Sequence, residues 1–243
     1  MTKVLAIIQA RLNSTRLPGK TLMSFGGKTL IEHVYTGVTK ASLLSETVVA
    51  IPDNEKNWEL AEFLKEKEIK FYLGSESDVL DRYSKVANQC SADFVVRIPA
   101  DNPLPHGNEI DRLITYHLEK NQNGFSSNLS EVYSSKYPDG IGAEIFSGDA
   151  LNLINLMDRT QEQREHVHLN FFNYRTQSAQ LPELFTVGSP KCPEDFARPD
   201  IVLDINTARD LEYFREMFNF FENITPTISE VITWHDIFGV HIR

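Results

Sequence analysis

The chain has 243 residues, 41% hydrophobic and 24% charged, which is ordinary for a globular protein and enough for one large α/β domain. Its formal net charge of −10 excludes the broad basic surface of a nucleic-acid binder, and no apolar run is long enough to cross a bilayer. Cys90 and Cys192 are too few and too distant for a disulfide framework or a cysteine-based metal site, and the first residues, MTKVLAIIQARLN, lack a cleavage-site pattern, so a cytoplasmic protein is expected.

In chain order, Val4 to Ile8 reads as a strand, and Leu30, Ile31, Val34, Tyr35 and Val38 fall on one helical face. Thr47 to Ile51 is a second strand, ended by Pro52 and Asp53, and Trp58 to Lys67 an amphipathic helix. Lys70 to Leu73 is a third strand, and Gly74-Ser75 turns the chain into a helix from about Asp78 to Gln89. Phe94 to Ile98 is a fourth strand and Asn108 to Leu118 another helix. Strands alternating with helices imply βαβ units and a mostly parallel, Rossmann-like sheet.

From about Gly124 the rhythm loosens. A strand is expected from Ala143 to Phe146, helical character from Arg159 to Phe172, and an irregular proline-rich stretch from Leu181 to Arg198. Residues 124–198 are therefore read as an arm inserted into one domain spanning 1–243. Ile201 to Ile205 is expected to be one more buried strand, and Thr207 to Phe221 a helix capped by Asn206.

In an open parallel sheet, ligands bind beyond the carboxyl ends of the strands. The loop QARLNSTRLPGK leaves the first strand there and gathers Arg11, Arg16 and Lys20 in a chain that is otherwise acidic. Asp53, Gly74-Ser75, Asp101 and Asp204 leave later strands at the same edge. Cations with carboxylates in one cleft suit nucleotidyl transfer. Arginine forks, a lysine and backbone N–H groups hold a triphosphate, and carboxylates hold Mg²⁺. Taken singly, each acid is more simply a cap or turn residue, and each cation a solvated surface charge. Their agreement on one sheet edge favours the shared site. Asp204, inside the apolar run IVLDI, also demands a partner or a metal.

At this point the chain resembles the CMP-sugar synthetases, the cytidylyltransferases that activate 3-deoxy-manno-octulosonate and the sialic-type acids. The fuller match is similar to the spore-coat polysaccharide biosynthesis branch. The motifs that carry it are ARLNSTRLPGK, GSESDVLDRY, RIPADNPL, YPDG, REHV and LDINTARDL, in family order. The resemblance implies a nucleotidyltransferase-type α/β fold, CTP and Mg²⁺, a small sugar-acid-like acceptor, and a homodimer. It implies transfer of CMP with release of pyrophosphate, for surface polysaccharide or glycoconjugate synthesis. It puts Arg11, Ser14, Arg16 and Lys20 on the triphosphate, and Asp101, Asp204 and Asn206 at the metal; Arg11, Lys20, Asp101 and Asp204 would carry catalysis.

This chain departs from the family pattern at three places. Asn206 stands where the sialic-type enzymes have a second aspartate, so it ligates the metal as an amide or only caps a helix. Leu73 replaces an arginine, which leaves base reading to backbone groups of Ala10 and around Gly74 to Ser77, with Gly74 and Ser75 the nearest turn. Ile141-Gly142 replaces the Leu-Asp that commonly follows YPDG, so a carboxylate near the acceptor is absent. Arg164, Glu165 and His166 of REHV would face the acceptor or a subunit interface, or form a solvated helix face. Two other readings stay open: a nucleotide-sugar-dependent glycosyltransferase, and a nucleotide-binding protein without chemistry.

Overall fold

Along β1 (Val4–Gln9) successive side chains leave the sheet on opposite faces. Both faces are apolar: Val4, Ala6 and Ile8 enter one core, Leu5 and Ile7 the other. A strand buried on both sides belongs in the middle of a covered sheet. In the computed structural model, which describes residues 2–239, β1 is central. It pairs in parallel with β2 (Glu46–Pro52) and with β4 (Phe94–Pro99). β3 (Phe71–Gly74) extends the sheet beyond β2.

On the other side of β4 the sheet continues through β6 (Glu144–Ser147), β5 (Phe125–Ser127) and β7 (Val187–Gly188), seven strands in all. The pairings are parallel except those of β6, which runs antiparallel to both neighbours. Residues 124–198 thus supply three of the seven strands. Two two-residue ribbons, Ser24–Phe25 with Lys28–Thr29 and Phe172–Asn173 with Ser178–Ala179, stand outside the sheet.

Helices cover both faces. α1 (Leu30–Val38), α2 (Trp58–Glu66), α4 (Gly107–Lys120), α7 (Ala208–Phe220) and α8 (Ile228–Ile237) pack on the face of Val4 and Ile8. α3 (Val79–Gln89) and α5 (Gly148–Leu156) pack on the face of Leu5 and Ile7. The Tyr83 hydroxyl of α3 donates to the Ile7 carbonyl at 3.2 Å and pins that layer to β1. Asp78 caps α3 by accepting from the Asp81 N–H at 2.9 Å.

Two expectations are corrected, and the helical character of a third segment is resolved into short pieces. Ile201 to Ile205 is an extended segment and not a strand: it makes one bridge, Asp139 with Val202, and its backbone bonds to the sheet side run to Asp139 and Asp101 alone without forming a ladder. Ile201, Leu203 and Ile205 are buried while Val202 is exposed, so the segment is lined on one side only. Arg159 to Phe172 holds the short α6 (Gln161–Glu165) and a separate turn, Val167–Asn170. Thr207 caps α7, not Asn206, through a reciprocal box with Asp210.

Candidate active site

The loop after β1 is held in shape by its own backbone contacts. The Leu12 N–H donates to the side chain of the buried Asn57 at 2.9 Å, and the Thr21 hydroxyl to the Arg11 carbonyl at 2.7 Å. The Gly19 N–H closes the loop on the Leu12 carbonyl at 2.8 Å. Gly19 has φ 75°, a left-handed conformation that glycine adopts without strain, and it launches the Lys20–Leu22 turn.

That turn aims Lys20 at the ends of two other segments. Its ammonium donates to Asp101 Oδ2 at 3.0 Å, to the Ile205 carbonyl at 2.6 Å and to Asn206 Oδ1 at 3.2 Å. Arg16 Nη2 reaches the same Asn206 oxygen at 2.6 Å, and the Asn206 amide donates to Asp204. The Ile205 N–H donates to the Asp101 carbonyl at 2.8 Å, which fastens the late segment to the end of β4. Arg11, the third cation, forms a looser, half-exposed pair with Glu165 at 3.5 Å. The Ser14 hydroxyl accepts from the Leu17 N–H at 3.4 Å.

A cavity of about 250 Å³ opens between these groups. Ala10, Arg11, Ser14, Arg16, Lys20 and Asp101 line it, joined by Gln9, Arg97 and His166. Asp204 and Asn206 connect to it through Lys20 and Arg16. Gly74 and Ser75 do not line it. The Gly74 carbonyl accepts the Asp53 N–H at 2.8 Å, the Ser75 carbonyl accepts from the buried Arg82, and Glu76 ties their loop to Asn13 and Asn54. A second cavity of about 260 Å³, beside α1 and the starts of α4 and α8, is lined by Lys28, Lys40 and His106 without a carboxylate.

Sequence reasoning missed a buried wall of the cavity that Arg97 lines. Arg97 and Glu144 face each other across β4 and β6, and Arg97 Nη1 donates to Glu144 Oε2 at 2.6 Å. The Tyr174 hydroxyl donates to the other Glu144 oxygen at 2.8 Å and lies 2.6 Å from the Ser127 hydroxyl. Burial pulls the Arg97 pKa down, but the Glu144 carboxylate outweighs it and holds the guanidinium charged. Burial, reinforced by Glu144, pushes the Tyr174 phenol well above its ordinary value. The Gln9 carboxamide oxygen is buried beside this wall without a partner. The visible signals were an arginine inside VVRIP and a glutamate inside AEIF.

Of REHV, His166 lines the cavity and Glu165 pairs with Arg11 on its wall. Arg164 instead binds Asp78 at 2.6 Å and Asn155 at 2.8 Å, bracing α6 against the start of α3.

Among the described residues no group of three or more histidines, cysteines, aspartates or glutamates forms a metal cluster. Oxygens of Asp101, Ile205 and Asn206 nonetheless converge on one cation position, at which the Lys20 ammonium stands. A carboxylate with neutral oxygens is a donor set that suits Mg²⁺.

Comparison with known proteins adds to this geometry. A family model described as "Cytidylyltransferase" matches residues 5–223. The spore coat polysaccharide biosynthesis protein SpsF of Bacillus subtilis (strain 168) is 29% identical over 239 residues, 96% of this chain and 94% of that protein. Among solved structures, a cytidylyltransferase from Leptospira borgpetersenii serovar Hardjo-bovis (strain JB197) superposes with a TM-score of 0.83 at 22% identity, covering 100% of this chain and 97% of that one. A CMP:2-keto-3-deoxy-manno-octonic acid synthetase complexed with CTP superposes with a TM-score of 0.61 at 18% identity, covering 90% and 99%. At these identities the two structures speak for the fold.

Proposed function

Because the chain belongs to the cytidylyltransferase family, we propose that it transfers CMP from CTP to a sugar acid or a related acceptor and releases pyrophosphate. The product would feed surface polysaccharide or glycoconjugate synthesis. The observation that carries this reading is the meeting of Arg11, Arg16 and Lys20 with Asp101 in one cavity beyond the ends of β1 and β4.

Arg11, Arg16 and Lys20 bind the triphosphate, with the Ser14 hydroxyl beside them. Charge-assisted bonds to its oxygens fix the α-phosphate for in-line attack and offset the charge that collects on departing pyrophosphate. The backbone at Ala10, on the cavity wall, reads the base. Asp101, Asp204 and Asn206 would hold Mg²⁺, which when bound would polarise the phosphoryl oxygens. Gln9, Arg97 and His166, on the cavity wall, face the acceptor. Arg97 keeps its orientation through Glu144, so its fork reaches the acceptor without searching rotamers. No side chain here has to become a covalent nucleophile; the acceptor's own hydroxyl attacks.

The assembly is read as a homodimer working in the cytoplasm; no described helix is long and apolar enough to cross a membrane. Against a glycosyltransferase stands the cation loop itself, since a nucleoside diphosphate leaving group needs fewer cations than a triphosphate. The test is pyrophosphate release with CTP, Mg²⁺ and a panel of 2-keto sugar acids and sugar phosphates. Release by the wild type and its loss in Asp101→Asn supports the reading. Release of a nucleoside diphosphate from a nucleotide sugar, or no turnover with any acceptor despite CTP binding, contradicts it.

A further inference from the structure

Lys20 has been assigned to the triphosphate, yet its ammonium stands where the metal would. Three oxygens from separate parts of the chain converge on it: Asp101 Oδ2 at 3.0 Å, the Ile205 carbonyl at 2.6 Å and Asn206 Oδ1 at 3.2 Å. The Lys20 side chain is only 11% exposed, so the contact is not a loose surface pair. Remove the ammonium, and a carboxylate and two neutral oxygens remain around one position. A divalent ion cannot enter that position beside an ammonium, because two cations a few ångströms apart repel strongly where water is scarce.

We propose that Lys20 is the resident cation of the metal position: its ammonium and a divalent ion exclude each other at Asp101, and the arriving triphosphate draws Lys20 away. The proposal rests on the nucleotidyl-transfer reading of this cavity. It adds the Ile205 carbonyl to the groups that hold the ion, and it sets an order, nucleotide before or together with metal.

The exchange is mechanically simple. Lys20 carries its charge on a flexible four-carbon stem and can move from Asp101 to a phosphate oxygen while the Gly19 turn stays in place. Arg16 would make the matching move, since it also rests on Asn206. In the empty protein the ammonium cancels the Asp101 charge, which prevents a bare carboxylate from standing in a half-buried site.

The test uses Mn²⁺ alone, which shares the oxygen preference of Mg²⁺, and follows the free-ion EPR signal in nucleotide-free protein. Lys20→Met, which keeps the apolar stem and removes the charge, should bind Mn²⁺ about tenfold or more tightly than the wild type. Adding Asp101→Asn should abolish that gain. Equal or weaker Mn²⁺ binding by Lys20→Met overturns the proposal, as does a gain that survives Asp101→Asn. Lys20→Gln is read in the same way if the Met variant does not fold. Calorimetry with CTP separates the two readings. Wild-type CTP binding with unchanged Mn²⁺ affinity in Lys20→Met refutes the exchange alone. A gain in Mn²⁺ affinity in Lys20→Met, together with a wild type that does not bind CTP, supports the cation position and refutes the nucleotide reading.

Discussion

Three ion pairs stand at or beside the cavity and differ in what surrounds them. Arg97 and Glu144 have side chains 8% and 0% exposed, with Tyr174 and Ser127 completing the bonds behind them. Lys20 with Asp101 is more open on the acid's side, at 30%, and Arg11 with Glu165 is about two-fifths exposed on both. A pair sealed from water is costly to break, because the surviving charge has nowhere to go. A pair open to water can trade its partner for a ligand at little cost. The Arg97–Glu144 pair is therefore built to stay, and the cation loop to exchange.

The largest expected effect tests the sealed pair. Glu144→Gln should destabilise the fold by about 3–5 kcal/mol, read from denaturant midpoints, and Arg97→Met/Glu144→Gln should recover much of that loss. A Glu144→Gln midpoint equal to the wild type's would remove the contrast on which the comparison rests.

Burial without any charge partner sharpens it. His117 is fully buried, bonds Ser126 at 2.9 Å, and is pushed by burial from 6.5 to about 4. Its folded pKa lies below its unfolded one, so its stability contribution is complete above about pH 6.5. It is lost as pH falls towards 4, by roughly 3 kcal/mol in total. Unfolding curves across that window should show the slope, and His117→Gln should reduce it, leaving the part that His168, also pushed by burial to about 4, contributes.

On the open side, base choice is the next test. With the Gly74 and Ser75 carbonyls already engaged, Ala10 is the remaining backbone candidate to meet the exocyclic amine of cytosine. A mismatched base would leave an acceptor unpaired at about 1–3 kcal/mol, so CTP should exceed UTP by roughly ten- to a hundredfold in kcat/KM. Equal rates would mean that Leu73, in place of arginine, has relaxed the choice.

The smallest effect belongs to the most exposed pair. Glu165→Gln should leave stability within about 0.5 kcal/mol of the wild type and raise CTP affinity a few-fold by freeing Arg11. A loss of several kcal/mol in denaturant would class this pair with the sealed one.

Much of this arrangement is legible in the sequence. β1, β2, β4 and the helices between them announce themselves through apolar period and through clean stops at Pro52 and Pro99. β5 and β7, at three and two residues, are too short to carry a period. Ile201 to Ile205 shows a strand's alternation, but a ladder needs a neighbouring strand, and the sequence does not say that the segment meets one only at the single bridge to Asp139. The cap of α7 is legible as well: Thr207 and Asp210 spell a capping box one position after Asn206. The cation loop stands out because its charge contradicts the composition. The Arg97–Glu144 wall does not, because its partners are 47 positions apart and meet only through strand pairing.

The claim that the cation loop is a triphosphate site is tested most directly by titrating CTP with Mg²⁺ into the wild type and Arg11→Ala in a calorimeter, with unfolding midpoints recorded for both. Arg11→Ala should unfold with the wild type, because its pair with Glu165 is exposed, yet bind CTP more weakly by about 1.5–3 kcal/mol, at least tenfold. Equal CTP affinity in the two proteins would contradict the account.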